Sequence, residues 1–175
     1  MHPSASIDIA APLSIVAGIL LDLKSYTQWC PFTIAMRGEL HPGETIMETV
    51  ALTPGATSLR LQPVVVREVT QGETHCKTVW ESIMWTRAVL HAVRVQQLTA
   101  TPDGGTHYTT TDRMSGLLAP LVLGLYGKCV QDGFVAIAAA LKERAEAQHA
   151  RVGAGEPQGR GISDPAELGE GRLGD

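Results

Sequence analysis

Basic charge is scarce in this chain of 175 residues, which has 14 Lys and Arg against 18 Asp and Glu and a formal net charge of −4. Residues 152–175 hold five acids and two arginines, so the first 151 residues are close to neutral. Proteins that bind nucleic acid neutralise phosphates with clustered Lys and Arg. Because no such basic stripe is present, we expect no nucleic-acid partner.

Cysteine is also rare, and the three that occur (Cys30, Cys76 and Cys129) lie far apart without a C-x-x-C pair. This excludes a disulfide framework and favours a reducing compartment, so a cytoplasmic location is predicted. The six histidines show no H-x-x-x-H spacing and form no cluster with cysteine. With no phosphate-binding glycine motif and no G-x-S-x-G elbow, neither a metal nor a cofactor is expected.

Long hydrophobic runs are missing too, although 44% of the residues are hydrophobic and only 18% are charged. The chain therefore has enough apolar material for a folded core. Its start lacks a basic segment followed by an apolar run, so no signal peptide is predicted. The longest apolar stretch, Gly116–Gly127, is shorter than the ~20 residues of a membrane span. We expect a monomer or homodimer without stable membrane insertion.

Two segments have the apolar spacing of amphipathic helices. The first follows Pro12, which suits a helix's first turn, and its stripe consists of Leu13, Val16, Ile19, Leu20 and Leu23. The second begins near Ala119, and its stripe consists of Tyr126, Val130, Phe134, Ile137, Leu141 and Ala145. A short strand is predicted over residues 6–10, before the first helix.

Between the two helices the chain breaks into strand-like runs separated by turn residues. These runs are Thr33–Leu40, Glu44–Leu52, Ser58–Val69, His75–Ile83, Ala88–Ala100 and Thr106–Ser115. Each connection is too short for a crossover helix, so the sheet should be antiparallel. The order predicts an α+β domain over residues 1–151: a bent sheet of about six to seven strands around a long C-terminal helix, with a cavity between them. Residues 152–175 are predicted to be a disordered, glycine-rich acidic tail.

Several short sequence words occur in the order found in a known superfamily. They are Ala11-Pro12, DLKSYTQWCPF at 22–32, RGELHPGE at 37–44, Trp80, the hairpin from His91 through DGGTHYTTTDRMSGLLAPL, Gly133-Phe134 and Leu141-Lys142. Over residues 6–147 the chain resembles the START-like helix-grip (SRPBCC) superfamily, in particular its polyketide cyclase/dehydrase branch. Cys30 stands where that family usually has Asn. The resemblance implies a helix-grip fold with a hydrophobic ligand cavity, and does not fix a reaction.

The last hairpin predicts which side chains face this cavity. If Asp103-Gly104 is a two-residue turn, the opposite pairs are Val93 with Met114, Val95 with Asp112, Gln97 with Thr110, and Thr99 with Tyr108. Side chains alternate along a strand, so these pairs share one face. The other face, with Arg94, Gln96 and Arg113, is more polar. We therefore predict that the first face lines the cavity.

Asp112 is the first candidate for a functional group on that face. A carboxylate on an apolar inward face needs a partner or a proton. It is either paired with Arg37 or Arg94, or bonded to Gln97 or Tyr108, or it serves as a catalytic acid or base with a raised pKa.

Two further residues are named as catalytic candidates, Tyr108 and His91. Tyr108, with Thr110 and Gln97, would orient carbonyl oxygens of a ligand. His91 is either a structural histidine or a pocket residue. At about 13 Å from Asp112 along the strand, it would contact the other end of a ligand and cannot form a dyad with Asp112.

Large apolar side chains complete the predicted site. Ligand-binding roles are assigned to Trp29, Phe32, Trp80, Val93, Val95, Gln97, Thr110, Met114 and Phe134. The tryptophans have an alternative role as ordinary core residues, and Met114 as a gap filler.

Two function classes follow, with a third left open. The first is an enzyme that binds a polyketide-, terpenoid- or lipid-like molecule and catalyses a cofactor-free cyclisation, dehydration or lactonisation step in secondary-metabolite biosynthesis. The second is a non-catalytic carrier or sensor of a hydrophobic ligand. The third is a partner-binding module such as a co-chaperone.

Overall fold

The structure is a computed structural model that describes residues 2–51, 59–84 and 86–154. It has three α-helices, α1 (Leu13–Leu21), α2 (Tyr26–Trp29) and α3 (Ala119–Gly153), and a 3₁₀ turn at Leu23–Ser25. The strands are β1 (Ser4–Ile9), β2 (Thr33–Arg37), β3 (Thr45–Ala51), β4 (Leu59–Gln71), β5 (His75–Met84), β6 (Leu90–Ala100) and β7 (Thr106–Ser115).

The seven strands form one sheet in the order β1-β7-β6-β5-β4-β3-β2, and every pair is antiparallel. Consecutive strands β2 to β7 are neighbours, as hairpin connections require. The first strand pairs with the last, β7, rather than with β2. The predicted α+β helix-grip class, with an antiparallel sheet and a long C-terminal helix, is confirmed.

The predicted helices and strands are present, but several of them begin or end at other residues than predicted. The strand β1 begins at Ser4, before the predicted residue 6, and β2 ends at Arg37 instead of Leu40. The helix α3 continues to Gly153, past the predicted end of its stripe and into the segment assigned to the tail. The remainder of that segment, residues 155–175, lies outside the described residues, as do the predicted strand ends Leu52 and Ser58.

The register of the β6–β7 hairpin is displaced by one residue from the predicted one. The amide of Thr101 donates to the carbonyl of Gly105 at 3.0 Å, so the loop has three residues, and Gly104 has φ +85°. A three-residue loop of this kind is a type I turn followed by a left-handed residue. The predicted two-residue turn would have required an amide hydrogen at Pro102, which proline lacks. A one-residue slip moves every side chain of a strand to the other face.

The main core lies between α1, the second half of α3 and the sheet. Among its fully buried side chains are Val16 and Leu20 of α1, Leu98 and Tyr108 of the sheet, and Leu141 of α3. Three hydrogen bonds hold α3 to the edge strand β1. Gln131 Nε2 donates to the Ser4 carbonyl at 2.7 Å, the Ser4 amide donates to Gln131 Oε1 at 3.0 Å, and Lys142 Nζ donates to the Asp8 carbonyl at 2.8 Å.

The first half of α3 is packed differently from the second. In this helix, which the structure describes throughout, no residue between 120 and 132 is buried. Tyr126, predicted to belong to the buried stripe, is 52% exposed, and Leu125 is 68% exposed. By length and composition α3 could cross a membrane, but the core helix of a soluble protein passes the same test. In α3, 17% of the apolar window that passes this test is buried.

Candidate functional site

The inner face of the sheet, which is covered by α1 and α3, is polar at one end and apolar at the other. Leu98 and Tyr108 are opposite partners at the apolar end, whereas Arg94 and Asp112 are opposite partners toward the other end. The polar end is the one where β7 runs into α3. The α3 residue that lies over this end is Phe134, whose ring contacts Arg94.

A narrow pocket of about 20 Å³ lies at this polar end. Its polar lining residues come from five neighbouring strands, β3 to β7, and are Glu48, Gln62, Trp80, Ser82, Arg94 and Asp112. The volume matches about one water molecule. It is far below the roughly 300–1,000 Å³ of ordinary ligand sites, so in this conformation the pocket accepts only a small polar group.

Three of these residues form one row across the sheet. Trp80 of β5 lies opposite Arg94 of β6, which in turn lies opposite Asp112 of β7. The guanidinium carbon of Arg94 is 4.8 Å from the ring centre of Phe134, a residue of α3. This cation–π geometry holds the charged group between the sheet and the helix.

The charge of Arg94 is stabilised by its surroundings. Its burial disfavours the charged form, but the carboxylates of Glu48 and Asp112 outweigh that cost and raise the pKa of the guanidinium above its ordinary value. Arg94 was placed on the opposite, outward face by the predicted register. Its inward position is the main consequence of the one-residue shift.

Asp112 is buried on the inner face, with 6% of its surface exposed. Burial raises the pKa of its carboxyl, and the positive charges of Arg94 and His2 only partly offset this. Its backbone amide donates to the Pro3 carbonyl at 2.9 Å, whereas Oδ1 is buried without a hydrogen-bond partner among the described residues. The sequence offered Arg37, Arg94, Gln97 or Tyr108 as partners of this carboxyl group. Of these, Arg94 is the one that lies beside Asp112 in the structure.

A second buried carboxylate, Glu48, was not identified from the sequence. Only 5% of its surface is exposed, and its Oε1 accepts a hydrogen bond from Thr33 Oγ1 at 3.3 Å. It lies opposite Gln62 on the inner face. With Glu48, Arg94 and Asp112, the pocket region carries two carboxyl groups and one guanidinium.

Tyr108 belongs to a separate, closed hydrogen-bond network. Its hydroxyl donates to Gln96 Oε1 at 2.8 Å, and Gln96 Nε2 donates to Thr78 Oγ1 at 3.3 Å. Burial raises the pKa of Tyr108 to about 12. Its strand position is four residues from Asp112, or about 13 Å. Tyr108 therefore lies on the predicted inner face, but its hydroxyl donates its hydrogen bond to Gln96 within the core and not to the polar pocket.

His91 faces outward, away from the pocket. Its Nε2 lies 2.6 Å from Glu81 Oε1 and its Nδ1 lies 3.2 Å from Ser115 Oγ. Glu81 also forms ion pairs with Arg67 and Arg87. The interpretation of His91 as a structural histidine fits this arrangement, and the prediction that it reaches the cavity is wrong.

The register also corrects three predicted ligand contacts, Val93, Val95 and Gln97. These residues occupy the positions that alternate with Arg94 and Gln96, so they lie on the outer face, where Gln97 is exposed. Thr110, the partner of Gln96, is on the inner face and is 2% exposed. The side chains named on β7 thus face inward, whereas those named on β6 face outward.

The remaining predicted residues lie around the helices. Trp29 is buried with its ring centre 4.7 Å from that of Tyr26. Phe32 lies against α3 at Gly133, where an added Cβ would be 3.6 Å from the ring. Met114 lies opposite Ala92 on the inner face and is half-buried. Only Trp80 and Asp112 of the predicted site residues line the polar pocket, with Phe134 above it.

A sequence signal for the missed residues existed in the loop itself. Pro102-Asp103-Gly104 has proline at the second position of a type I turn and glycine at the left-handed position. Reading that loop correctly places Arg94 opposite Asp112. Glu48 had no comparable signal because both faces of its strand carry apolar residues, Ile46 and Val50 on one and Met47 on the other, so alternation does not decide which face is inward. Within the described ranges, no group of three or more His, Cys, Asp or Glu side chains is arranged to hold a metal ion.

Comparisons with known proteins agree with this architecture. No family model and no curated protein matches the chain. A hypothetical protein from Helicobacter pylori superimposes with a TM-score of 0.69 at 13% identity, covering 83% of this chain and 88% of that one. The STAR-related lipid transfer protein from Xanthomonas axonopodis gives 0.58 at 14% identity, covering 81% and 84%.

The di-domain ARO/CYC protein BexL from the BE-7585A biosynthetic pathway gives a TM-score of 0.60 at 13% identity, covering 85% of this chain and 50% of that one. This chain thus spans half the length of BexL. At such identities the similarity shows the fold alone. The chain has the helix-grip fold that these solved structures share.

Proposed function

We propose that the chain binds a hydrophobic small molecule between α3 and the inner face, with the polar end of the ligand at the pocket of Trp80, Arg94 and Asp112. The observation that carries this proposal is the charged pair on the inner face, a half-buried Arg94 beside the buried Asp112, because withdrawing charged groups from water is costly. Fold stability alone does not require such a pair, since apolar residues of similar size would pack as well or better.

The body of the ligand needs more space than the polar pocket offers. The buried stripe of α3 continues toward its N-terminus through Val130, Gly127 and Leu123, which are only half-buried. Gly124 and Gly127 lower the helix propensity there by about 1 kcal/mol each relative to Ala. A small displacement of this half of α3 would therefore open an apolar space that continues into the polar pocket.

The chemistry that this pair of residues supports is proton transfer at a carbonyl compound. Asp112 as carboxylate takes a proton from the carbon beside a ligand carbonyl, and the guanidinium of Arg94 stabilises the enolate oxygen that forms. The enolate carbon then attacks a second carbonyl of the same ligand. The new alkoxide receives the proton back from Asp112, which completes a cofactor-free cyclisation. Loss of water would follow where the product is a dehydrated ring.

A cyclisation of this kind would belong to secondary-metabolite biosynthesis, and the polyketide cyclase neighbours support the enzyme interpretation. The lipid transfer neighbour supports the alternative, a carrier or sensor that binds a similar ligand without converting it. The two free buried cysteines, Cys30 and Cys76, fit a reducing, cytoplasmic location. We propose a monomer or homodimer.

The experiment that tests the proposal combines ligand identification with one variant. Native mass spectrometry of the purified protein identifies what it retains, and the same compound is then assayed for binding and conversion. Asp112→Asn keeps the shape of the side chain but cannot exchange a proton. We expect binding to be retained and turnover to fall by about 10²–10⁴-fold. Arg113→Gln, the outward neighbour on the same strand, is the control and should leave both unchanged.

Two outcomes separate the alternatives. Binding without turnover in the unaltered protein supports a carrier or sensor and contradicts the enzyme proposal. Normal turnover in Asp112→Asn contradicts the acid–base role of Asp112. If no hydrophobic compound binds, the proposal as a whole is wrong.

A further inference from the structure

Two polar atoms in the residues that line the narrow pocket have no hydrogen-bond partner. One is Asp112 Oδ1, an acceptor, and the other is Trp80 Nε1–H, a donor. Asp112 is 6% and Trp80 3% exposed. A buried polar atom without a partner is unfavourable, and such atoms are rare among folded proteins. Both atoms therefore call for a partner that the chain itself does not supply.

The two side chains belong to one site. Both line the pocket of about 20 Å³, and both lie in the row that Arg94 connects. The volume accommodates about one oxygen-sized group. A single group that satisfies both atoms must donate one hydrogen bond and accept another.

Few ligand groups meet this requirement. A carboxylate cannot donate and would face the carboxyl groups of Asp112 and Glu48. An ammonium cannot accept from an indole N–H and would lie against Arg94. An ether, or a carbonyl compound in its keto form, can accept but cannot donate to a carboxylate, whereas the enol form of the same carbonyl compound does both. A hydroxyl does both, with Arg94 close enough to stabilise any negative charge that develops on its oxygen.

We propose that the pocket recognises a hydroxyl group, phenolic, enolic or alcoholic, at the end of the hydrophobic ligand, which donates to Asp112 Oδ1 and accepts from Trp80 Nε1–H. This inference rests on the proposed function and adds the chemical class of the ligand's polar end. The ligand class is thus a hydroxylated apolar molecule rather than an acid, an amine or an ether.

The test uses matched probes on the full chain. Isothermal titration calorimetry measures binding of naphthol, methoxynaphthalene and naphthoate, and of decanol with its methyl ether. We expect each hydroxyl compound to bind at least about tenfold more tightly than its methyl ether, which keeps the acceptor and loses the donor. Naphthoate should bind more weakly than naphthol.

Variants then assign the preference to the two residues. Asp112→Ala should bring the ratio between hydroxyl compound and ether close to one, and Trp80→Phe should weaken the binding of the hydroxyl compound. Arg113→Gln should keep the full ratio. Because Trp80 belongs to the core, circular dichroism is used to check that Trp80→Phe is folded. If it is not folded, the test rests on the ratio between hydroxyl compound and ether in Asp112→Ala.

Each other outcome counts against the inference. Equal binding of the hydroxyl compounds and ethers overturns it while leaving the proposed function standing. Tighter binding of naphthoate overturns it in favour of an anion site at Arg94. A full hydroxyl preference in Asp112→Ala also overturns it. Failure of all five probes to bind contradicts the proposed function, and this inference falls with it.

Discussion

On the outer face of the sheet, a buried carboxylate is paired with three cationic or ionisable neighbours. Glu81 is only 4% exposed, and it contacts Arg67, Arg87 and His91. Burial works against its charge, but hydrogen bonds from Arg67 and His91 and the two arginine charges outweigh that cost and lower the pKa of Glu81. This cluster holds β4, β5 and β6 together at the end of the sheet that carries the pocket.

Replacing Glu81 should destabilise the fold in a pH-dependent way. A carboxyl whose folded-state pKa is lowered contributes stability above its unfolded pKa, near 4.3 for Glu, and loses it as pH falls through the folded-state value. Glu81→Gln should therefore reduce stability at pH 7 by about 1 kcal/mol or more, or roughly 2–4 °C in melting temperature per kcal/mol. Differential scanning calorimetry between pH 7 and pH 3 should show the difference shrinking.

Glu68→Gln is the matched control for this measurement. Glu68 also pairs with a cation, Lys77 at 2.8 Å, on the adjacent strands, but both side chains are more than a third exposed. Exposed pairs contribute little because water screens them. An effect of Glu68→Gln equal to that of Glu81→Gln, or an effect of Glu81→Gln that grows on acidification, would contradict the role assigned to Glu81.

At the scale of the element, the β6–β7 hairpin separates what sequence could predict from what it could not. Its strand limits and the inward side chains of β7, including Asp112, follow from alternation and turn residues. The partner strand depends on whether the loop has two residues or three, and that choice decides whether Val95 or Arg94 faces the ligand space. The information lay in Pro102, whose missing amide hydrogen excludes the shorter turn.

The helix α3 divides into a half that packs on the core and a half that does not. Phe134 lies where the packed half of α3 begins. It is 3% exposed, and its ring contacts Arg94 of the sheet. Leu125 is on the first half and is 68% exposed. The periodic pattern in sequence cannot show this difference, because apolar spacing continues through both halves while the sheet lies against only one.

Alanine substitutions in the two halves should therefore have unequal effects. Phe134→Ala removes a buried ring and should lower the free energy of unfolding by about 3–5 kcal/mol. Leu125→Ala removes an exposed side chain and should change it by less than about 0.5 kcal/mol. Urea denaturation followed by circular dichroism gives both values. Similar losses for the two variants would show that the first half of α3 is packed as tightly as the second.

For the whole molecule, the order of elements was predictable and the site was only partly so. The change from helical to alternating apolar spacing, and short turns between strands, are local signals that survive in sequence. The narrow pocket, the inward Glu48 and the use of the Tyr108 hydroxyl by Gln96 arise from contacts between strands that are distant in sequence. The sequence of any one segment therefore does not predict these features. The chain's fold was therefore recognisable before its chemistry was.

The end of the folded domain provides the last prediction. The final core contacts of α3 are Leu141 and Ala145, both fully buried, whereas residues 151–154 are exposed. Residues 155–175 are rich in glycine and have no periodic apolar positions. A chain ending at Ala154 should consequently unfold within about 5 °C of the full chain. A chain ending at Ala140 lacks both buried residues and should not fold cooperatively. Thermal denaturation of the two truncated chains measures this, and a larger loss in the longer one would place residues 155–175 within the stable fold.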